Sequence, residues 1–359
     1  MPTLPSPFSL LSSLVALPGP PGLEGPVRDF VARQLTSLGC ASEVDAKGNL
    51  LSGVPGASIP RTPRIVVTAH LDEIALLVSG ILPDGALLVR PLGGAHPWKW
   101  GEGPVSIFGR NGAVIPGILS FGSIHTASPV SAIQQARDGR AITWEMSTVI
   151  TGLTAPQLQS LGVRPGSRIV LAPSRRMVTE IGDGQLVASY FLDDRADLVA
   201  WLLALELLGR ANRKSAASQV LFVATTAEEV GGEGALYLLQ AMRPEICIAL
   251  EIGPSTPDAP VPLNATPTVW VSDSYSTTSP LDLDLLDTAA ASSGIAPLHW
   301  QALTRGGSDA SCAASHGQCA RPVTLAFPAE NSHGYEIMHR DAPETLARLL
   351  VAYLEQLEK

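Results

Sequence analysis

Apolar residues recur along this chain in three successive rhythms. Over about residues 6–38, FSLLSSLVAL and VRDFVARQLTSLG carry the three-to-four-residue spacing of helix faces, broken by PGPPGLE and ended by Gly39. DAKGNLLSGVPG reads as a turn and strand, or a hairpin. RIVVTAHLDEIALLVSGI then places two β-rich runs on either side of a polar HLDE, the pattern of a core strand whose end carries chemistry. From about 82 to 187 the chain breaks into short β-like pieces punctuated by Gly and Pro, among them DGALLVRPLGG, GPVSIFGRNGAVIPGILSFG and GSRIVLAPS. With no long helical period, this stretch predicts a small β-barrel or sandwich. After 188, strands (QVLFVAT, CIALEIG, VTLAFPA) alternate with helices (DDRADLVAWLLALELLGRA, EGALYLLQAM, DLDLLDTAAASSG, ETLARLLVAYLEQLE). The pattern is an α/β domain resumed after an inserted β domain.

Composition narrows the classes. With 359 residues and 45% hydrophobic content, the chain has room for two packed domains of a soluble globular protein. A net charge of -9 leaves no basic face for nucleic acid or an anionic membrane. No apolar run approaches the roughly 20 residues of a membrane span; LVAWLLALELL is too short. The N-terminal apolar stretch has no basic residue before Arg28, so no signal peptide is expected. Cys40, Cys247, Cys312 and Cys319 lack zinc-knuckle spacing and predict unpaired thiols in a cytoplasmic protein.

Polar residues gather where the apolar strands run out: His70 and Asp72 in TAHLDE, Asp193 and Asp194 in SYFLDDR, Glu228 and Glu229 in TTAEEVGGEGA, Glu251 in ALEIG, and His333 in ENSHGYE. In an open α/β sheet the carboxyl ends of strands are where ligands bind. Adjacent acids at a core edge repel each other and lose hydration, so Glu228 and Glu229 need something to neutralise them. Singly, each residue has an ordinary reading: a hydrogen-bonded histidine, a helix cap at Asp-Asp-Arg, a solvated Glu pair. Holding all of these at five strand ends together is harder than placing two divalent metals there. Imidazole with carboxylate suits Zn, Co or Mn better than Mg or Ca.

HLDEIALLV, FLDDRADLV, TTAEEVGGEGA, GGSDA and SHGYE, in that order, resemble the M42 metallo-aminopeptidases, and the likeness spans nearly the whole chain. The resemblance implies a mixed-sheet α/β peptidase core with helices on both faces, residues 1–75 and 188–359, interrupted by an oligomerisation β-barrel over 76–187. It implies two divalent ions per subunit, Zn or Co: one at His70 and Glu251, the other at His333 and Glu229, with Asp193 bridging them. Glu228 would be the general base, Asp72 would hold the His70 ring, and the bond between Asp193 and Asp194 would be cis. Asp309 and Glu336 would help shape the substrate site. The implied substrates are short peptides with a free N-terminus, and the implied assembly is a dodecamer, with a dimer as fallback. Two departures stand out: Glu251 replaces the commoner Asp, and GGSDA replaces GGTDA. The first keeps another metal-dependent hydrolase, a deacylase or carboxypeptidase, in view; a glycoside hydrolase or a non-catalytic assembly protein fits the histidines less well.

Overall fold

A computed structural model describes residues 3–211, 219–295 and 297–358. The chain opens with helices α1 (Pro7–Ala16) and α2 (Gly25–Leu38), then strands β1 (Ser42–Val44), β2 (Leu50–Ser52) and β3 (Ile65–His70). The expected helical faces are real: Leu10 and Leu14 of α1, and Val27, Val31 and Leu35 of α2, are fully buried. Gly39 caps α2 in the left-handed conformation (φ 73°), which a glycine adopts without a Cβ clash.

The next stretch contributes β4 (Ala75–Ile81), β5 (Leu87–Leu92), α3 (Pro97–Trp100), β6 (Gly103–Phe108), β7 (Val114–Ser120), α4 (Ala132–Arg137), β8 (Thr148–Ile150), α5 (Ala155–Ser160) and β9 (Arg168–Leu171). Its six strands close into a barrel in the order β4-β5-β8-β7-β6-β9, antiparallel throughout. The barrel, not the sandwich, is therefore the outcome. The pattern gave no helix here, because α3, α4 and α5 are too short to show a period. The barrel has its own core, in which Leu76, Trp100, Ile107, Trp144 and Ile169 meet.

The chain then returns to the first sheet through β10 (Thr179–Ile181), β11 (Leu186–Tyr190), α6 (Leu192–Arg210), β12 (Val220–Thr225), α7 (Glu233–Met242), β13 (Ile246–Pro254), β14 (Thr268–Ser272), α8 (Pro280–Ser292), β15 (His299–Ala302), α9 (Asp309–Ser315), β16 (Arg321–Glu330), β17 (Tyr335–His339) and α10 (Ala342–Leu357). The 11-stranded mixed sheet runs β1-β2-β12-β3-β13-β16-β17-β11-β10, with the parallel pair β14 and β15 attached through β16. Alternate residues of the central strands face opposite layers. Val67, Phe222 and Ile248 pack towards α1, α2, α6, α8 and α10, whereas Val66, Leu221 and Cys247 pack towards α7 and α9. Coverage on both faces is why these strands read as continuous apolar runs. All four cysteines are free and buried. Among the described residues, no helix is long and apolar enough to cross a membrane.

Candidate active site

The sheet topology gathers the polar residues on one edge. Strands β12, β3, β13 and β16 are parallel neighbours. β11 pairs antiparallel with β17, and β17 antiparallel with β16, so β11 runs the same way as the others. His70 closes β3, with Thr225 of β12 beside it in register; Glu228 and Glu229 follow on the turn beyond. Asp193 and Asp194 come just after β11, and His333 sits in the turn between β16 and β17. The peptide bond joining Asp193 to Asp194 is cis.

Glu251 departs from the strand-end expectation: it lies inside β13, which runs on to Pro254 along β16. The reason is local. The β3–β13 ladder stops at Thr68 and Ala249, so β13 separates from β3 while staying paired to β16. Two residues further, at the level of His70, Glu251 still pairs with Ala326 of β16 but has no β3 partner, and it lines the cavity at this end of the sheet.

Asp193 is the centre of the arrangement. Its Oδ1 lies 2.9 Å from His70 Nε2, and its Oδ2 lies 3.6 Å from His333 Nε2. His333 Nε2 is also 3.9 Å from Glu229 Oε2. Two sets result, each with ligand atoms within 4.8 Å of one another: His70, Asp193, Asp194 and Glu251 in one, Asp193, Glu229 and His333 in the other. Asp193 belongs to both.

Behind these groups a further layer of acids grips their backbone. Glu336 accepts hydrogen bonds from the Asp193 amide (3.0 Å) and the His333 amide (2.9 Å). Asp72 accepts from the amides of Glu228 (3.0 Å) and Glu229 (3.1 Å), one per carboxylate oxygen. It also faces His70 Nδ1 at 3.5 Å, beyond hydrogen-bond length, so its firm hold is on the glutamate turn. Asp194 accepts from the His70 amide. Asp309, at the start of α9, accepts from the Thr225 hydroxyl at 2.6 Å. Asp309 and Glu336, which the resemblance brought to the substrate site, thus sit behind it, 2% and 1% exposed.

Burial dominates the electrostatics. It pushes the carboxyl groups of Glu228, Glu229 and Glu251 well above the ordinary range, and neighbouring acids add to the rise. Glu336 is pushed up to about 8 and Asp309 to about 6, again chiefly by burial. Burial alone would lower His70, but Asp194, Asp193 and Asp72 outweigh it and hold the imidazole well above its usual value. Asp194 Oδ1 has no hydrogen-bond partner. Carboxylates crowded into a buried site with so little positive charge are an environment that divalent cations relieve, and two imidazoles with carboxylates are a donor set that zinc-like ions accept.

A cavity of about 480 Å³ opens on this edge, lined by Asp193, Glu228, Glu229, Glu251 and His333, with Trp270 and Arg305 on its other walls. Three features went unread in the sequence. Glu73 joins Arg176 (2.5 and 2.6 Å) and Arg195 (2.7 Å) in an ion cluster that is almost wholly buried. Arg195 also donates to the carbonyls of Leu71 and Asp72, so the cluster braces the loop after β3. Asp197, fully buried one helical turn beyond Asp193, is pushed up to about 8 by burial. The third is the glycine pair Gly93–Gly94 from the barrel, with Gly94 on the cavity wall and its carbonyl accepting from His333 Nδ1 at 3.1 Å. The acid four positions after Asp193 in DDRAD was a visible signal; the other two features depend on distant contacts.

Comparison with known proteins supplies the last step. A lysyl aminopeptidase of Pyrococcus furiosus is 27% identical over 247 residues, covering 68% of this chain and 66% of the relative. A glutamyl aminopeptidase of Lactococcus lactis subsp. cremoris is 26% identical over 249 residues, covering 69% and 67%. Each match thus spans about two thirds of the relative. Among solved structures, the Pyrococcus horikoshii TET1 peptidase, which can assemble into a tetrahedron or a large octahedral shell, superposes with a TM-score of 0.80 at 26% identity over 97% of this chain and 98% of its own. A Thermotoga maritima protein described as an endoglucanase shares the fold at 19% identity, with a TM-score of 0.68 over 96% of this chain and 98% of its own. The profile of the M42 glutamyl aminopeptidases matches residues 48–349, and the chain belongs to that family.

Proposed function

We propose that this protein is a metal-dependent aminopeptidase that removes the N-terminal residue from short peptides, using a dinuclear cation centre and Glu228 as general base. The observation that carries the reading is the division of Asp193, whose two oxygens face two separate histidines beside a cavity that Glu228 also lines. In this reading His70 and Glu251 hold one ion, His333 and Glu229 the other, and Asp193 lies between them. Two divalent ions held there, zinc or cobalt by donor chemistry, would supply the Lewis acidity for polarising a peptide carbonyl and for water attack near neutral pH. Glu228 takes the proton from the attacking water and returns it to the leaving amine. Asp72 fixes Glu228 and Glu229 through their amides, so the base and its neighbouring ligand move as one unit.

Self-association belongs to the same reading. The barrel exposes Val114 and Ile118 on β7 and Ile150 on β8, with Ile118 and Ile150 paired across the strands. An apolar face of this kind, with the shell-forming TET1 peptidase as a structural neighbour, supports a homo-oligomer, a dodecamer first and a dimer as fallback. A cytoplasmic location agrees with the four free thiols.

The test compares wild type with Glu228→Gln on peptides offered with free and acetylated N-termini, with bound metal counted in both proteins. The panel spans acidic, basic and apolar first residues, because the lysyl and glutamyl relatives differ in that preference. The expected result is cleavage of free-amine peptides alone, and a variant that keeps two ions but loses about 10²–10⁴ in rate. Equal cleavage of blocked peptides would move the protein to a deacylase or another hydrolase. An active Glu228→Gln enzyme would remove Glu228 as base.

A further inference from the structure

Resting on the two-cation reading above, we propose that the barrel segment from Gly93 to Lys99 is a positioning element for the second cation group, Asp193, Glu229 and His333, so that the inserted barrel completes the metal centre. The turn that carries His333 holds two non-glycine residues in the left-handed region, Asn331 (φ 65°) and His333 (φ 58°). Such residues persist only where their surroundings over-determine them. Here the hold comes from two sides. On the core side, Glu336 accepts from the His333 amide. On the barrel side, Lys99 Nζ donates to Asn331 Oδ1 at 2.6 Å, and the Gly94 carbonyl accepts from His333 Nδ1 at 3.1 Å.

The two glycines abut two members of the same group. A Cβ on Gly94 would lie 2.4 Å from His333 Nδ1 and 2.6 Å from Cε1, so the ring rests against bare backbone. Gly93 (φ 82°) would bring a Cβ within 3.2 Å of both the Cβ and the carbonyl oxygen of Glu229. A proton on Nδ1, committed to the Gly94 carbonyl, leaves the Nε2 lone pair facing Asp193 and Glu229, the usual way that a histidine ligand is oriented. The barrel core fixes where that carbonyl sits. The Trp144 indole donates to the neighbouring Ala95 carbonyl at 2.8 Å and packs edge-on to the fully buried Trp100. His70 is different: its Nδ1 faces Asp72, on the loop that follows β3. The contacts of the Gly93–Lys99 segment therefore fall on Glu229 and the His333 turn, and not on His70.

That asymmetry is the test. Full-length wild type, Gly94→Ala, Lys99→Met and the reference His333→Ala are stripped of metal. Each is then titrated with Co²⁺, followed by d–d absorbance and by metal counting after dialysis. Wild type should take up two ions. Gly94→Ala should bind the first as wild type does and the second about 10- to 100-fold more weakly, approaching His333→Ala. Lys99→Met should weaken the second in the same direction by a smaller factor, and it carries the test if the alanine variant fails to fold. Wild-type affinity for both ions in Gly94→Ala, or equal weakening of both, would overturn the proposal. A wild type that binds fewer than two ions would overturn the two-cation reading, and the proposal with it.

Discussion

The hold of Asp72 on the glutamate turn gives the most exacting prediction. Asp72 is fully buried and spends one oxygen on the Glu228 amide and the other on the Glu229 amide. In Asp72→Asn one of the two amides keeps an acceptor, now neutral, while the other faces an NH₂ group. A hydrogen bond to a charged group contributes about 1.5–3 kcal/mol, and a buried donor left without a partner costs about 1–3 kcal/mol. The turn therefore loses about 3–5 kcal/mol of support. It is also the turn in which Ala227 holds a left-handed backbone (φ 54°), so released strain favours the same movement. Not all of that loss need appear in the rate; two thirds of it, at 1.36 kcal/mol per decade, gives a fall of about 30- to 300-fold in kcat/KM.

A double-mutant cycle checks whether the fall comes through Glu228. Asp72→Asn is measured alone and in the Glu228→Gln background, with free-amine peptides as substrate and metal counted in every protein. If Asp72 works by placing the base, its loss should cost little once the base is gone, within about threefold, giving a coupling of about 1.4 kcal/mol or more. A single variant within threefold of wild type would refute the argument. So would a penalty that stays whole in the Glu228→Gln background while both ions remain bound.

Two further outcomes test the frame around the site. Glu73→Gln leaves the buried guanidinium groups of Arg176 and Arg195 without their carboxylate, and should lower unfolding stability by about 3–5 kcal/mol at fixed protein concentration; denaturant titration followed by tryptophan fluorescence reads it, and a loss under 1 kcal/mol would show the cluster to be dispensable. Asp282 receives Arg321, the Tyr353 hydroxyl (2.5 Å) and the Ser279 hydroxyl (2.9 Å). Burial would raise this carboxyl, but Arg321 and the two hydroxyls outweigh it and hold it below its ordinary value. A lowered folded-state pKa contributes stability above the unfolded value, near 3.9, that is lost as pH falls through the folded value. Asp282→Asn should therefore cost about 2–3 kcal/mol at pH 7 and progressively less below about pH 4, and a gap that does not change with pH would contradict the assignment.

Much of the site was legible because its carriers interrupt strong patterns. His70 ends IVVTAH, and Glu228 and Glu229 follow VLFVAT; in both places a fully buried strand stops at polar residues. Glu251 was visible as an acid in an apolar run, but its depth in β13 follows from where β3 stops pairing, which no local window contains. The partners of Glu73 lie 103 and 122 residues away, so an acid in a short loop gave no sign of a buried ion cluster. The Gly94 carbonyl acts through backbone, and the sequence shows only the glycine that makes room for it. β14 and β15 went unread because their few residues lean on β16 and not on a pattern of their own.

Fold alone does not choose between bonds, since an endoglucanase and peptidases share this one. The choice rests on how the site divides its acids. A glycosidase needs two carboxyl groups with separate roles, one kept protonated and the other ionised by its surroundings. Here burial raises Glu228, Glu229 and Glu251 together, while Asp193, against its own burial, is held low by His70 and His333, the two histidines it faces. In the proposed reading two cations would separate the roles of these acids. Held by His70 and Glu251 on one side and by His333 and Glu229 on the other, with Asp193 between, they would favour the ionised form of every acid that touches them and leave Glu228 as the acid free to exchange a proton. On that reading the histidines, idle in a glycosidase, would become necessary, and adjacent glutamates at a buried strand end would become compatible because only one of them would be a ligand.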